Sequence, residues 1–356
     1  MRLDWGRLKA VVLESDDWGL CAWSADDEAH RALGRTPAFR SPAGHTYGRS
    51  TLESAADLRA LRETLLGFRG GDGSPPVWQA NMVMAAPDFE RLARDGYGSD
   101  EVPVVLLPGL PARWERPGMW NEVQQNIAAG VWWPELHGLH HLPERAWLEG
   151  LRRGDDDARL AFSHQCIVCS AVESSGEYDP SEPAAARVRR LERAFGHFTR
   201  LFGRPPGSFC PPDYRWDESL EPHVSRLGAS VLQGGPERSG RWLRAWRMIH
   251  HWRWPDLRDQ RLLMPPRIAF EPRGDAAPGS RLGAERTHAA VRAAWRRGQP
   301  AVVSTHRHNY AHLDPAWSEA GRAALRDLLQ RLCADGAVYL TDTKVYDLVL
   351  SQSRTR

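Results

Sequence analysis

The chain has 356 residues, of which 42% are hydrophobic and 26% charged, and its formal net charge is +2. This balance argues against a protein dedicated to nucleic acid or to a membrane surface, because both need a basic excess gathered on one face. No run approaches the roughly 18 apolar residues of a membrane span, and the N-terminus lacks a signal-peptide pattern, which predicts a cytoplasmic protein. The length permits one large domain, such as an α/β barrel, or two ordinary ones.

Short apolar runs alternate with helical patterns along the chain, which is typical of a parallel sheet or barrel with crossover helices. After a first strand that starts at Val11, we predict strands at 77–84, 131–136, 208–211, 230–233, 267–270, 301–305 and 338–341. Helices are predicted at 54–68, 184–202 and 320–334, a long loop at 19–51 and an irregular segment at about 155–183. Without an internal repeat, one domain over residues 1–356 is the simplest description.

The first apolar strand ends in two adjacent carboxylates, Asp16 and Asp17. Two acids at the end of a buried strand are costly unless a cation or a proton uses them, so they indicate the mouth of a pocket. Neighbouring residues of a regular strand face opposite sides, and both acids can serve one site only if the strand has already ended there, which Trp18 and Gly19 favour. The alternative is an ordinary acidic helix cap.

A histidine cluster, His137-Gly138-Leu139-His140-His141, follows the predicted strand at 131–136. Two histidines four residues apart lie on one face of a helical turn, so His137 and His141 can hold one ion to which Asp17 supplies an oxygen. Because the ends of parallel strands meet at one mouth, we expect these side chains to converge. Taken singly, each histidine is also compatible with an ordinary hydrogen-bonded residue.

The order of these motifs resembles that of the polysaccharide deacetylases with the NodB homology domain (carbohydrate esterase family 4). The segment from Glu14 to Gly19 is similar to the family's Thr-Phe-Asp-Asp-Gly motif with a Trp inserted. The spacing from His137 to His141 matches its His-Ser/Thr-x-x-His motif, with Gly138 at the second position. The resemblance implies a single distorted (β/α) barrel of about seven parallel strands.

The resemblance also implies the roles of the site residues. The metal ligands would be Asp17, His137 and His141, Asp16 would be the catalytic base, and His140 would be a supporting or bystander residue. The family's fifth motif places a histidine after a late strand, where this chain has His306 and His308. We prefer His306, which directly ends the apolar run, as the acid that protonates the leaving group. For the fourth motif, a carboxylate that tunes this histidine, Asp342 is the candidate.

The family's Arg-x-Pro-Tyr motif is poorly kept, since Cys210 stands where the arginine belongs. Arg215 or Arg307 is the candidate substitute, and a solvent-facing arginine is the alternative. The backbone amide of Asp213 or Tyr214 is a candidate oxyanion donor, because the preceding prolines have no N–H.

Several further residues carry weaker signals. Asn81, at the end of the second predicted strand, is a candidate for substrate contact, and His45 is weaker still. The sequence has no second Cys-x-x-Cys pair that would complete a site with Cys166 and Cys169. Two incidental thiols are therefore favoured over a zinc or redox site. The Trp- and Arg-rich segment 240–261 is compatible with sugar stacking, with packing against the barrel or, least of all, with nucleic acid.

Three functional hypotheses follow from the residues and the resemblance. The first is a metal-dependent deacetylase that removes N- or O-acetyl groups from a carbohydrate. The second is a hydrolase of the same fold that cuts another amide or ester, and the third is a carbohydrate-binding protein without turnover. The expected cofactor is a divalent metal, Zn²⁺ before Co²⁺, Ni²⁺ or Mn²⁺, since mixed His and carboxylate sets accept several ions.

Overall fold

The computed structural model describes residues 3–172, 176–216, 218–233, 254–258, 260–273 and 282–354. The strands are β1 (Ala10–Trp18), β2 (Trp78–Met82), β3 (Ala85–Pro87), β4 (Val104–Leu106), β5 (Trp132–Leu136), β6 (Ser208–Phe209), β7 (Val231–Leu232), β8 (Asp256–Arg258), β9 (Arg261–Leu263), β10 (Ile268–Ala269), β11 (Ala301–His306) and β12 (Val338–Leu340).

The α-helices are α1 (Trp5–Leu8), α2 (Asp27–Leu33), α3 (Pro37–Arg40), α4 (Pro42–Tyr47), α5 (Ala55–Leu66), α6 (Phe89–Arg94), α7 (Met119–Ala128), α8 (Glu144–Arg153), α9 (Asp156–Ser163), α10 (Ala184–Phe202), α11 (Glu221–Arg226), α12 (Ala284–Arg296), α13 (Pro315–Ala334) and α14 (Asp342–Arg354). Single 3₁₀ turns lie at Ala112–Trp114, Pro212–Tyr214, Glu218–Leu220 and Arg307–Asn309.

One sheet holds ten of the strands, in the order β10-β11-β1-β2-β5-β6-β7-β9-β8, with β12 paired to the first residues of β1. All neighbours are parallel except β8 and β9. The sheet curls into a half-barrel flanked by helices, which confirms the predicted α/β class and the distorted barrel. Among the described residues, nine strands take part in parallel pairs where the sequence predicted about seven, and four of these pairs involve only one or two residues of each strand.

Strand β1 lies inside the sheet, between β11 on one side and β2 with β12 on the other. Every residue of β1 is buried except Asp17, which is half-buried. Aliphatic residues such as Val11 and Val12 suit this position, because a parallel strand covered on both faces must be apolar along its whole length. Glu14, Ser15 and Asp16 are polar although they are buried, and Arg267, which pairs with Glu14 and Asp16, belongs to the site described below.

The register of the strands brings their carboxyl ends to one edge of the sheet. Asp16 of β1 lies opposite His306 of β11. Met82 at the end of β2 lies opposite Leu136 at the end of β5, and His137 follows Leu136 directly. The histidine cluster, the acid pair and the late histidine therefore meet at one mouth, as parallel strands require.

Helices α5, α10 and α13 cover the sheet and confirm the predicted helical segments. A capping box between Ser54 and Asp57 starts α5, because each side chain accepts a hydrogen bond from the other's backbone N–H. In α10 the apolar face predicted from the sequence, with Leu191, Phe195 and Phe198, is buried. Amphipathic spacing therefore places these helices on the sheet.

Two segments that the sequence predicted as irregular contain helices. The loop at 19–51 includes the short helices α2, α3 and α4, and the segment at 155–183 begins with α9. Side-chain caps begin two of these short helices: Asp26 accepts a hydrogen bond from the Ala29 N–H at the start of α2, and Ser41 accepts one from the Gly44 N–H at the start of α4. None of the described helices combines the length and apolar character that a bilayer span needs.

Candidate active site

A bulge in β1 brings both adjacent carboxylates to one cavity. The strand continues through Trp18 rather than ending at the acids, which corrects the sequence prediction. Asp17 has φ +74°, and the register of β1 against β2 shifts between Ser15 and Trp18. Such a bulge breaks the alternation of side chains, so Asp16 and Asp17 both line the cavity.

The histidine pair lies in a loop after β5, not on a helical turn as the spacing predicted. The buried carboxylate of Glu177 holds this loop by accepting hydrogen bonds from three consecutive backbone N–H groups, those of residues 139–141, at 2.8 to 3.2 Å. A Cβ atom on Gly138 would lie 2.6 Å from Oε2 of Glu177, and the φ of Gly138 is +93°. The positive φ and this nearby carboxylate therefore both favour glycine at the second motif position.

Asp17 and the two histidines converge on a candidate metal centre. Oδ1 of Asp17 lies 3.4 Å from Nε2 of His137 and 3.8 Å from Nε2 of His141. One ligand atom from each of the three residues lies within 4.8 Å of the other two. Ligand atoms of a tetrahedral zinc ion are separated by about 3.3 Å, so small adjustments are enough to fit an ion.

The surroundings of His137 also fit a cation. Its Nδ1 lies 2.8 Å from the carbonyl oxygen of Cys210, so an Nδ1–H donor there leaves the Nε2 lone pair facing Asp17. Burial lowers the pKa of His137, but the negative groups around it raise that pKa well above its ordinary value. The negative groups that favour a proton on His137 would also favour a metal ion in place of that proton.

A second group of possible ligands, Asp16, His137 and Cys210, lies deeper. The guanidinium of Arg267 occupies its vicinity, with Nη2 3.5 Å from Sγ of Cys210 and Nη1 2.6 Å from Oδ2 of Asp16. A cation among these side chains would face a buried positive charge, so the group with Asp17 and His141 is the better metal site.

Arg267, just before β10, contacts the predicted base and was missed by the sequence analysis. Its Nη1 and Nη2 lie 2.6 and 3.2 Å from the two carboxylate oxygens of Asp16, and it also contacts Glu14 and the hydroxyl of Tyr214. Asn81 Nδ2 donates a further hydrogen bond, 2.6 Å, to Oδ1 of Asp16. Burial raises the pKa of Asp16, but Arg267 and the neighbouring histidines lower it well below its ordinary value.

The two arginines that the sequence offered for this role lie elsewhere. Arg307 is buried and donates to Glu53 and to the backbone carbonyl of Leu20, and it does not line the cavity. Arg215 lies 3.9 Å from Asp179 and does not line the cavity either. The order of the motifs did not point to the guanidinium that contacts Asp16, because Arg267 lies 251 residues away from Asp16 along the chain.

His306 lies across the cavity from the metal ligands, with Nε2 3.9 Å from Oδ2 of Asp16. Its Nδ1 lies 2.5 Å from Oε1 of Glu271, and the Asn309 amide donates a hydrogen bond of 2.6 Å to Oε2 of the same carboxylate. Burial lowers the pKa of His306, but Glu271 raises it well above its ordinary value. The imidazolium is therefore favoured, as an acid requires.

Glu271, not Asp342, is the carboxylate beside His306. Asp342 is buried below the site and accepts hydrogen bonds from Ser208 and Gln79. Glu271 directly follows the strand predicted at 267–270, so a carboxylate at a strand end was a signal that the sequence analysis left unused. The alternative histidine, His308, is buried against the ring of Tyr47 and does not line the cavity.

The remaining predicted substrate residues occupy different positions. Asp213 and Tyr214 line the cavity, and both have positive φ angles, +54° and +52°. The Tyr214 amide donates to the carbonyl of Pro211, so the Asp213 amide is the remaining candidate oxyanion donor. Asn81 is fully buried and contacts Asp16 and Gln233 rather than the cavity.

The weaker candidates contribute little to the site. Burial raises the pKa of Cys166 and Cys169 to about 12, so both remain neutral thiols, which disfavours a metal or redox role. His45 is exposed and does not line the cavity. Most of the Trp- and Arg-rich segment 240–261 lies outside the described residues, while Trp254 is buried and packs edge-on against Trp5.

The fold and the site together define an α/β half-barrel protein with a candidate metal centre at the carboxyl ends of its strands. A scan against models of protein families finds no match, and a search of curated proteins finds no significant match.

Solved structures with a similar course of the chain include a proposed polysaccharide deacetylase from Mycobacterium smegmatis, which is 13% identical, with a TM-score of 0.45 and coverage of 97% of this chain and 91% of the other. A 4-α-glucanotransferase from Thermococcus litoralis is 10% identical, with a TM-score of 0.45 and coverage of 95% of this chain and 40% of the other. A family 4 carbohydrate esterase from Streptomyces lividans is 11% identical, with a TM-score of 0.36 and coverage of 93% of this chain and 91% of the other. The family that the sequence motifs resemble is thus among the structural matches. At these low identities and TM-scores, the likenesses concern the chain trace and say nothing about the site.

Proposed function

We propose that this protein is a metal-dependent hydrolase that resembles the polysaccharide deacetylases and cleaves an acyl amide or ester, such as an N- or O-acetyl group on a carbohydrate. The observation that carries the proposal is the convergence of Asp17, His137 and His141 beside Asp16 and His306 in one cavity. One carboxylate and two imidazoles suit Zn²⁺, and Co²⁺, Ni²⁺ and Mn²⁺ accept the same set.

When bound at these three ligands, a divalent cation supplies a water of lowered pKa and a positive charge that polarises the acyl oxygen. Asp16 accepts the proton of the attacking water, because Arg267 and Asn81 hold its carboxylate ionised and fixed in direction. Such a base contributes on the order of 10² to 10⁴ in rate.

His306 completes the reaction from the other side of the cavity. Its Nδ1 donates to Glu271, so its Nε2–H faces the cavity and donates a proton to the nitrogen or oxygen that departs as the acyl bond breaks. In each turnover Asp16 gains one proton and His306 loses one, so the number of protons is balanced. The Asp213 amide is the candidate donor to the acyl oxygen.

The first test is the metal content of protein purified without added ions, followed by acetate release from N-acetylated oligosaccharides. We expect Asp17→Ala, His137→Ala and His141→Ala each to lose the metal. His288→Ala, on α12 and outside the cavity, is the matched control and should keep it. One full equivalent of metal in the Asp17 variant would contradict the ligand assignment.

Turnover is tested separately with Asp16→Asn, which keeps the size of the side chain. We expect this variant to bind the metal and to release acetate at least 10²-fold more slowly than the unchanged protein. Metal and sugar binding without any acyl release by the unchanged protein would contradict the proposed hydrolase and favour a carbohydrate-binding protein.

A further inference from the structure

We infer that the substrate of this site carries an apolar group next to its scissile acyl bond, an inference that rests on the proposed function. The cavity has a volume of about 600 Å³, which suits a small molecule or the end of a chain. One part of its wall is aliphatic and is formed by Leu20, Ala22, Leu142, Ile167, Val168 and Val172. We call these six residues the aliphatic wall.

The aliphatic wall adjoins the candidate metal ligands. Leu20 and Ala22 come shortly after Asp17, and Leu142 directly follows His141. The Ile167 N–H donates to the carbonyl of Ala22 at 3.1 Å, which joins the loop after β1 to the segment after α9. A group attached to an acyl carbon held at the metal centre therefore lies within reach of this wall.

Hydrogen bonds and burial hold the part of the aliphatic wall formed by Ile167 and Val168. The carbonyl of Gln165 accepts a hydrogen bond from the Trp114 indole at 2.5 Å, and the side chain of Gln165 accepts one from the Arg113 N–H at 2.8 Å. Ile167 and Val168 are only 3% and 9% exposed. A preformed apolar surface binds an apolar group without the cost of ordering it.

The aliphatic wall disfavours a purely hydrophilic group beside it. Among the described residues, the lining of the cavity contains no Arg, Lys, Asn or Gln side chain. Asp16, Asp17 and the histidines are committed to the proposed reaction, and the other polar lining residues, Ser41, Tyr47, Asp213 and Tyr214, are not part of the aliphatic wall. A sugar ring placed against the aliphatic wall would leave hydroxyl groups without hydrogen-bond partners, which weakens binding. An alkyl or aryl group at this position loses nothing and gains from burial.

The test compares esters on the zinc-loaded protein. In the first series the acyl chain of a p-nitrophenyl ester grows from acetyl to butyryl to hexanoyl, and in the second the alcohol of an acetate ester grows in the same steps. We expect kcat/KM to rise about fourfold per buried methylene in one series. The series in which kcat/KM rises shows on which side of the bond the apolar group lies. The inference is overturned if kcat/KM rises in neither series.

Two variants link this preference to the wall. Val168→Thr and Val172→Thr nearly keep the side-chain volume but place a hydroxyl in the cavity. We expect the ratio of kcat/KM for the long ester to that for the acetyl ester to fall about tenfold. Ile127→Thr, on α7 and partly exposed, is the control and should keep the ratio. An unchanged ratio in both valine variants contradicts the inference.

A binding measurement separates this inference from the proposed function. Acetate, butyrate and hexanoate, and in a parallel series ethanol, butanol and hexanol, are titrated calorimetrically into the zinc-loaded protein. We expect the six-carbon member of one series to bind more than tenfold more tightly than the two-carbon member of that series. Equal affinities within both series would overturn the inference even if acetyl esters are hydrolysed. The expected order without hydrolysis of any ester would support the wall and overturn the hydrolase.

Discussion

Arg267 contacts both carboxylate oxygens of Asp16, with Nη1 2.6 Å from Oδ2 and Nη2 3.2 Å from Oδ1. Two parallel contacts of this kind fix the plane of a carboxylate as well as its charge. The thiol of Cys210, at the motif position where the resembled family has an arginine, lies 4.0 Å from the same Oδ2. In this chain the guanidinium that contacts Asp16 therefore comes from Arg267, just before β10, and not from position 210.

The first prediction concerns this replacement. Arg267→Met should lower kcat on the order of 10²-fold, because Asp16 loses its orientation, while the metal content stays at one equivalent. Adding Cys210→Arg to the Arg267→Met variant should restore part of the rate, since the new guanidinium starts next to Asp16. Arg215→Met is the control and should retain full activity. Loss of metal in the Arg267 variant would show that it shapes the metal centre instead.

The second prediction concerns the acid. Glu271 raises the pKa of His306, so the imidazolium persists to higher pH, and activity should fall only as the pH passes that raised value. Glu271→Gln removes the negative charge, and the alkaline limb of kcat/KM against pH should move to lower pH. His306→Gln should remove this limb and lower the rate on the order of 10²-fold. An alkaline limb that stays in place in the Glu271 variant would contradict this assignment.

The third prediction concerns the histidine loop. Gly138→Ala combines a positive φ with a Cβ only 2.6 Å from Glu177 Oε2. Gly130→Ala is a matched control, because its φ is +72° and a Cβ there meets nothing within 4 Å. Both variants should lose about 1 kcal/mol of unfolding free energy from backbone strain, but only Gly138→Ala should also weaken metal binding. Equal metal affinity in the two variants would show that the loop tolerates the contact.

The fourth prediction concerns pH-dependent stability. His140 Nε2 lies 2.8 Å from Glu144 Oε1, and Arg190 lies 3.7 Å from Oε2 of the same buried carboxylate. Burial raises the pKa of Glu144, but His140 and Arg190 lower it below the ordinary value of 4.5. Because the folded-state pKa is the lower one, the ionised group stabilises the fold above about pH 4.5, and this stabilisation is lost as the pH falls through the folded-state pKa.

Glu144→Gln should therefore lower the unfolding free energy by about 2 kcal/mol at pH 7, and the difference should narrow below pH 4.5. Urea unfolding at both pH values measures this. Glu149→Gln, on the same helix but in an exposed ion pair, should change stability by less than about 0.5 kcal/mol at either pH. A Glu144 difference that does not vary with pH would contradict the role of its charge.

The sequence by itself determined the local elements and the residues at their ends. Apolar runs predicted the strands, and amphipathic spacing predicted α5, α10 and α13, because burial of one face leaves a periodic trace in the chain. The pattern of a polar residue after each apolar run also predicted that Asp16, His137 and His306 approach one another. Parallel strands make this inference possible, since their carboxyl ends share one edge.

Only the tertiary structure decided how these residues are oriented and which parts of the chain orient them. No periodic pattern in the sequence marks the features that orient these residues. They are the bulge at Asp17, the Glu177 carboxylate that holds the histidine loop, and the pairs Arg267 with Asp16 and Glu271 with His306. The last three are contacts between segments distant in sequence, and many arginines and carboxylates in the chain are equal candidates until folding selects one. Local patterns report burial, whereas the choice of a charged partner depends on three-dimensional distance.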